Sequence, residues 1–209
     1  MTRHEFHRRY TAMPELKKAE LIDGVVYMMP RIPLWHGRAV VVWSFWIGCF
    51  EERTPAVEGA SNSTVRLDED NEAQPDLLLR VPESLGGSGR VSADDFLEGP
   101  PELVIEVTAS SVSYDLHQKL HVYRRSGVQE YLVHRVDDGE VDWFLLERGA
   151  YVRQQTDREG VLKSRVFPGL WLDVPALLRE DLGALQACVR RGCCMPEHGA
   201  LVTRLTPHP

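Results

Sequence analysis

An excess of basic residues is the first thing missing. The 209 residues include 24 Lys and Arg against 31 Asp and Glu, a formal net charge of -7. Proteins that coat nucleic acid are usually basic, so this balance argues against that class. It leaves room for an enzyme whose acidic site is neutralised by metal cations. Cysteine is also scarce: there are four, with Cys188, Cys193 and Cys194 crowded near the C-terminus. That is no disulfide framework, and a reduced, cytoplasmic protein is the expectation. No stretch reaches the roughly 18 apolar residues of a membrane span. The longest apolar-rich run, AVVVWSFWIGCF, is too short, and MTRHEFHRRY has no apolar segment of the kind a secretory signal needs.

Several motifs are missing by one feature. Gly86-Gly87-Ser88-Gly89 has no Lys-Ser/Thr partner and reads as a loop rather than a phosphate cradle. The clustered cysteines and His198 lack the paired C-x-x-C spacing of a zinc site, so they read as incidental thiols in a loosely held tail. His117 and His121 are four apart but fall on the outward side of a helix, away from Leu116 and Leu120. Trp35, Trp43 and Trp46 at helical spacing read as core rather than a base-stacking platform.

What is present describes a mixed α/β protein. With 43% hydrophobic and 26% charged residues, the chain can build one globular domain, expected over 1–180, followed by a C-terminal helical extension and tail over 181–209. A short helix with a turn at Pro14 opens the chain, and AELIDGVVYMMP reads as a hairpin turning at Asp23-Gly24. Residues 35–53 place apolar side chains three and four apart, which predicts an amphipathic helix. STVRL and PDLLLRV read as strands joined by an acidic turn, DEDNEAQ, and 82–101 as a surface loop. A strand over 102–108 precedes a helix from about Ser113 to Ser126, closed by Gly127. Four runs from QEYLVHRV to LKSRVF read as a β-meander, and PALLREDLGALQACVRR as a last helix.

Within the strand PPELVIEVTASS, side chains alternate, so Glu102, Val104, Glu106 and Thr108 share one face while Leu103, Ile105 and Val107 share the other. An ionised Glu106 in such a run costs several kcal/mol, about the burial penalty of one ion, unless something compensates it. Asp76 opens another apolar strand, after a proline that suits a strand's first position. Two carboxylates brought together in a sheet repel, which should raise the pKa of at least one and would be relieved by a divalent cation. The alternative is that Asp76 caps a turn and Glu106 pairs with an arginine. The following helix adds Lys119 beside a stripe of Leu116, Leu120 and Tyr123, where it can lean over the same sheet end. Asp76, Glu106 and Lys119 then form a set that phosphodiester hydrolysis could use.

The ordered segments AELIDGVVYMMP, QPDLLLR, PPELVIEVTASS, YDLHQKLHVYRRSGVQEYLVH and VFPGLWLDVPALL resemble the Uma2 (DUF820) family of endonucleases. The resemblance implies a PD-(D/E)XK, restriction-endonuclease-like core: a central mixed β-sheet flanked by helices, with 102–108 as a central strand. It implies that Asp76 and Glu106 ligate Mg²⁺ or Mn²⁺ with the backbone carbonyl of Val107. Thr108 stands where the motif calls for lysine, and the family moves that role to the next helix, at Lys119. Glu20 matches an acidic position that joins or orients the site, and His36 a recurrent histidine without an assigned role. His134 replaces a more frequent aspartate. The expected partner is nucleic acid, DNA before RNA, with no membrane and a possible homodimer. Two functions stay open: a metal-dependent DNA endonuclease, or a catalytically silent nuclease-fold protein acting as a binding or regulatory module.

Overall fold

The computed structural model describes residues 1–13, 15, 16, 18–28, 31–109 and 114–206, with the backbone alone for Tyr114 and Asp115. The expected turn at Pro14 and the helix start at Ser113 lie outside the described residues. Helix α1 (Arg3–Thr11) leads to strands β1 (Ala19–Ile22) and β2 (Val25–Met28). These form the expected hairpin: Asp23 and Gly24 both take positive φ, 49° and 73°, as a tight two-residue turn demands. Helix α2 (Leu34–Glu51) follows, then β3 (Glu58–Ser61), β4 (Val65–Asp68), β5 (Asn71–Ala73) and β6 (Leu77–Arg80). The acidic turn expected over DEDNEAQ is therefore shorter than predicted. Its second half is a strand because Asn71 and Glu72 are buried, and the Asn71 side chain accepts the Asp23 N–H at 2.7 Å.

The expected surface loop also contributes β7 (Arg90–Val91) and β8 (Leu97–Glu98), held by buried Leu97 and an Arg90–Glu98 pair. Strand β9 (Leu103–Thr108) is followed by a wide π-helical turn (Tyr114–Lys119), α3 (Leu120–Ser126) and β10 (Glu130–Arg135). Gly127 closes α3 with φ 92°, a left-handed cap that a side chain would strain. Then come β11 (Glu140–Glu147), β12 (Ala150–Arg153), β13 (Val161–Lys163), β14 (Trp171–Asp173), α4 (Val174–Leu178), α5 (Leu182–Cys193) and α6 (Pro196–Leu205).

Two six-stranded sheets carry the fold. The main one runs β12-β11-β10-β9-β6-β3, with β9 inside it, antiparallel to β6 and parallel to β10. The other runs β2-β1-β5-β4-β8-β7. The meander stops at β12: β13 pairs instead with β14 in a separate ribbon. Strand β9 alternates as its sequence requires. Leu103, Ile105 and Val107 join α2, α4, α5 and α6 in the main core, whereas Val104 faces a second core built with α3 and the other sheet. Trp43 and Trp46 are fully buried, but Trp35 is 39% exposed and lies outside the core.

The single last helix and loose tail are corrected. Positive φ at Glu180 breaks the helix, Asp181 caps α5, and α6 was not foreseen at all. Leu185, Val189, Leu201 and Leu205 sit in the main core, and His198 is buried beside Phe50 with its Nε2 2.9 Å from Thr54 Oγ1. Burying four such side chains is worth roughly 1.5–3 kcal/mol each, comparable with a domain's whole stability of about 5–15 kcal/mol. A chain ending at residue 181 is therefore expected to lose its cooperative thermal transition, which circular dichroism would record.

His134 carries a pH-dependent share of that stability. The Trp43 indole N–H donates to its Nδ1 at 3.2 Å, and burial holds its pKa down from 6.5 to about 4. Between those values the unfolded chain binds a proton that the folded chain refuses, so stability falls as pH drops from about 6.5 to 4. The loss approaches about 3 kcal/mol. Urea unfolding should show that slope in the wild type and lose it in His134→Asn, which keeps an acceptor for Trp43 but does not titrate.

Candidate active site

Strand β1, strand β9 and the helical turn that comes after β9 in the chain meet at one ammonium group. Glu20, on interior strand β1, is fully buried, and Glu106, on β9, is 3% exposed. Lys119 Nζ lies 3.0 Å from Glu20 Oε2 and 2.9 Å from Glu106 Oε1. The Tyr123 hydroxyl donates to the same Glu106 oxygen at 2.9 Å, and the Gln74 N–H donates to Glu20 Oε1 at 2.7 Å. Lys119 and Tyr123 are four apart, the spacing that stacks two side chains on one helix face. The π-helical turn ends at Lys119, and such turns are rare and often found at functional sites. Within the chain, the charge of Glu106 is thus met by a lysine and a phenol, not by the arginine of the alternative reading.

Asp76 sits just before β6. The β6–β9 register pairs Leu77 with Ile105, and one further step sets Asp76 opposite Glu106. Its Oδ2 accepts the Val107 N–H at 2.8 Å and lies 3.1 Å from His36 Nε2, while Lys18 Nζ is 3.7 Å from Oδ1. Burial pushes the Asp76 pKa up. The bond to His36, the Lys18 and His36 charges and the Val107 N–H outweigh it, and the net direction is down. The rise expected from paired carboxylates does not occur at Asp76, because each acid has its own donors.

All the predicted side chains, Glu20, Asp76, Glu106 and Lys119, therefore lie at one end of the main sheet. His36, unassigned from sequence, supports Asp76 from the first turn of α2, and its buried Nδ1 has no hydrogen-bond partner among the described residues. Tyr123 was read only as part of an apolar stripe. Its four-residue spacing from Lys119 was the signal for a polar role. Thr108, in the motif's lysine position, is buried and uncharged. His117 and His121 are exposed, as read. Among the described residues, no group of three or more His, Cys, Asp and Glu is arranged to hold one metal ion. Two carboxylates remain a chemically suitable donor set for Mg²⁺, which is commonly bound by one or two carboxylates and completed by water and phosphate. No helix among the described residues is long and apolar enough to cross a membrane.

This mixed sheet flanked by helices is a restriction-endonuclease-like fold. A crystal structure from Anabaena variabilis, titled as "a putative nuclease belonging to DUF820", aligns with a TM-score of 0.66 over 83% of this chain and 97% of that one. At 12% identity the likeness is one of fold. The family model described as "Putative restriction endonuclease" matches residues 3–175, and the chain belongs to that family, Uma2. A search of curated proteins finds no match.

Lys119→Met removes the ammonium shared by two buried carboxylates. Breaking a buried ion pair from one side costs about 3–5 kcal/mol. Urea unfolding at pH 7 should show a loss of that order, with Glu106→Gln costing much less, because an amide oxygen still accepts from Lys119 and Tyr123.

Proposed function

We propose that this chain is a Mg²⁺- or Mn²⁺-dependent endonuclease that hydrolyses DNA phosphodiester bonds at Asp76, Glu106 and Lys119. The observation that carries the reading is the placement of Asp76, just before β6, beside Glu106 on the neighbouring β9, with Lys119 Nζ 2.9 Å from Glu106. Asp76 and Glu106 would hold the cation. The carbonyl of Val107 is a third oxygen in reach of the same edge, because a strand residue turns its N–H and C=O the same way and the Val107 N–H meets Asp76. Pro75, which the continued register sets opposite Val107, has no N–H to engage that carbonyl. A bound Mg²⁺ or Mn²⁺ supplies positive charge against the carboxylates and the phosphate.

The other tasks fall to the chain's own groups. Lys119 orients the attacking water and offers an N–H to charge developing on the phosphate. Glu20 and Tyr123 aim Lys119 and Glu106, and His36 fixes the Asp76 carboxylate. The depressed Asp76 pKa keeps that acid ionised at neutral pH. Two sites acting on two strands would be supplied by a homodimer, and sedimentation at micromolar concentration should then give twice the chain mass. The non-cleaving alternative draws support from the engagement of Lys119 by two carboxylates and from the acidic net charge.

Cleavage of single- and double-stranded DNA with Mg²⁺, Mn²⁺ or chelator separates the readings. The expected result is metal-dependent cleavage that falls on the order of a hundredfold or more in Glu106→Gln, with weakened Mn²⁺ binding by calorimetry. DNA binding without cleavage under every condition would select the silent module, and unchanged Mn²⁺ binding in Glu106→Gln would make that residue structural.

A further inference from the structure

The first turn of α2 serves two places at once. His36 turns to Asp76, while Trp35, Arg38, Ala39 and Val42, spaced as one helix face, line a separate cavity. That cavity has a volume of about 210 Å³, and its other walls include Val136, Leu177 and Glu180. For scale, a dry apolar cavity of about 150 Å³ accepts benzene. Trp35 is 39% exposed, unlike Trp43 and Trp46 farther along the helix, and its ring contacts the His36 ring edge to face at 5.6 Å between centroids. At the rim, Arg38 and Glu180 form an exposed ion pair at 2.5 Å. Glu180 reaches it from a backbone with φ 53°, an uncommon conformation for a non-glycine residue.

We infer that this cavity is a subsite for one unpaired nucleobase of the nucleic acid strand, with Trp35 as the stacking surface. The inference rests on the nuclease reading above and assigns part of its substrate recognition. An aromatic face beside a slot with walls from Val42, Val136 and Leu177 suits a base's ring, and His134 and the Arg38–Glu180 pair give the same slot polar groups for its edge. The contact of Trp35 with His36, and of His36 with Asp76, sets this slot next to the proposed metal-binding acid. An apolar ligand alone would make no use of the charged rim.

Fluorescence titration of the full chain with a short oligothymidylate, in chelator to prevent hydrolysis, tests this without any cleavage readout. Trp43, Trp46 and Trp143 are fully buried, and Trp171 is covered by Lys163 at 4.4 Å, so Trp35 should dominate any quenching. Wild type is expected to bind with quenching. Trp35→Phe should keep affinity within about twofold and lose most of the quench, while Trp35→Ala should weaken binding about five- to hundredfold, the range for one stacked base. An abasic strand of equal length should bind wild type and Trp35→Ala alike. Unaltered affinity in Trp35→Ala, with wild type binding the strand, would overturn the subsite and leave the nuclease reading standing. Failure of wild type to bind the strand, together with failure to cleave DNA when metal is supplied, would overturn both.

Discussion

The contact on which the site depends is the ammonium of Lys119 held between Glu20 and Glu106. Two carboxylates with almost no solvent exposure need charge compensation, because an uncompensated buried ion costs several kcal/mol. Lys119 supplies it from the next helical element in the chain after β9, and so ties strand β1 of one sheet to strand β9 of the other. Each partner also has a neutral donor: Tyr123 for Glu106 and the Gln74 N–H for Glu20. A hydrogen-bonded ion cluster of this kind fixes side-chain positions without adding much net stability.

Asp76 belongs to the same sheet end but is held from the other layer. Glu106 faces the core shared with α3 and the second sheet, whereas His36 arrives from α2, which packs on the opposite face. The candidate site thus lies at the sheet's rim, where both covering layers reach it. Here β6 begins just after Pro75-Asp76, and the Val107 N–H turns to a carboxylate instead of a ladder partner. An acidic chain with a net charge of -7 can host such a site because the charges there are paired locally.

The C-terminal helices bear on the fold in a different way. Their buried leucines complete the main core beneath α2, and α2 in turn presents His36 to Asp76. The family match ends at residue 175, before α5 begins. Packing outside the matched region therefore supports a helix that touches the site inside it.

Period-two alternation in 102–108, the Asp23-Gly24 turn and the apolar spacing of α2 were legible because they depend on local geometry and burial of one face. Ordered motifs and a family resemblance also singled out Asp76, Glu106, Lys119 and Glu20 as candidates. Less legible was β5, whose polar sequence becomes a strand only because its neighbours bury it. The same holds for α6, for the departure of β13 from the meander and for the role of Tyr123. Each depends on which segment lies opposite, a pairing that no periodicity encodes. Sequence alone determined that acids and a lysine stand at strand and helix positions able to converge. Tertiary structure decided that the lysine itself neutralises two of them, because only packing brings β1, β9 and the helix after β9 within a hydrogen bond of one another.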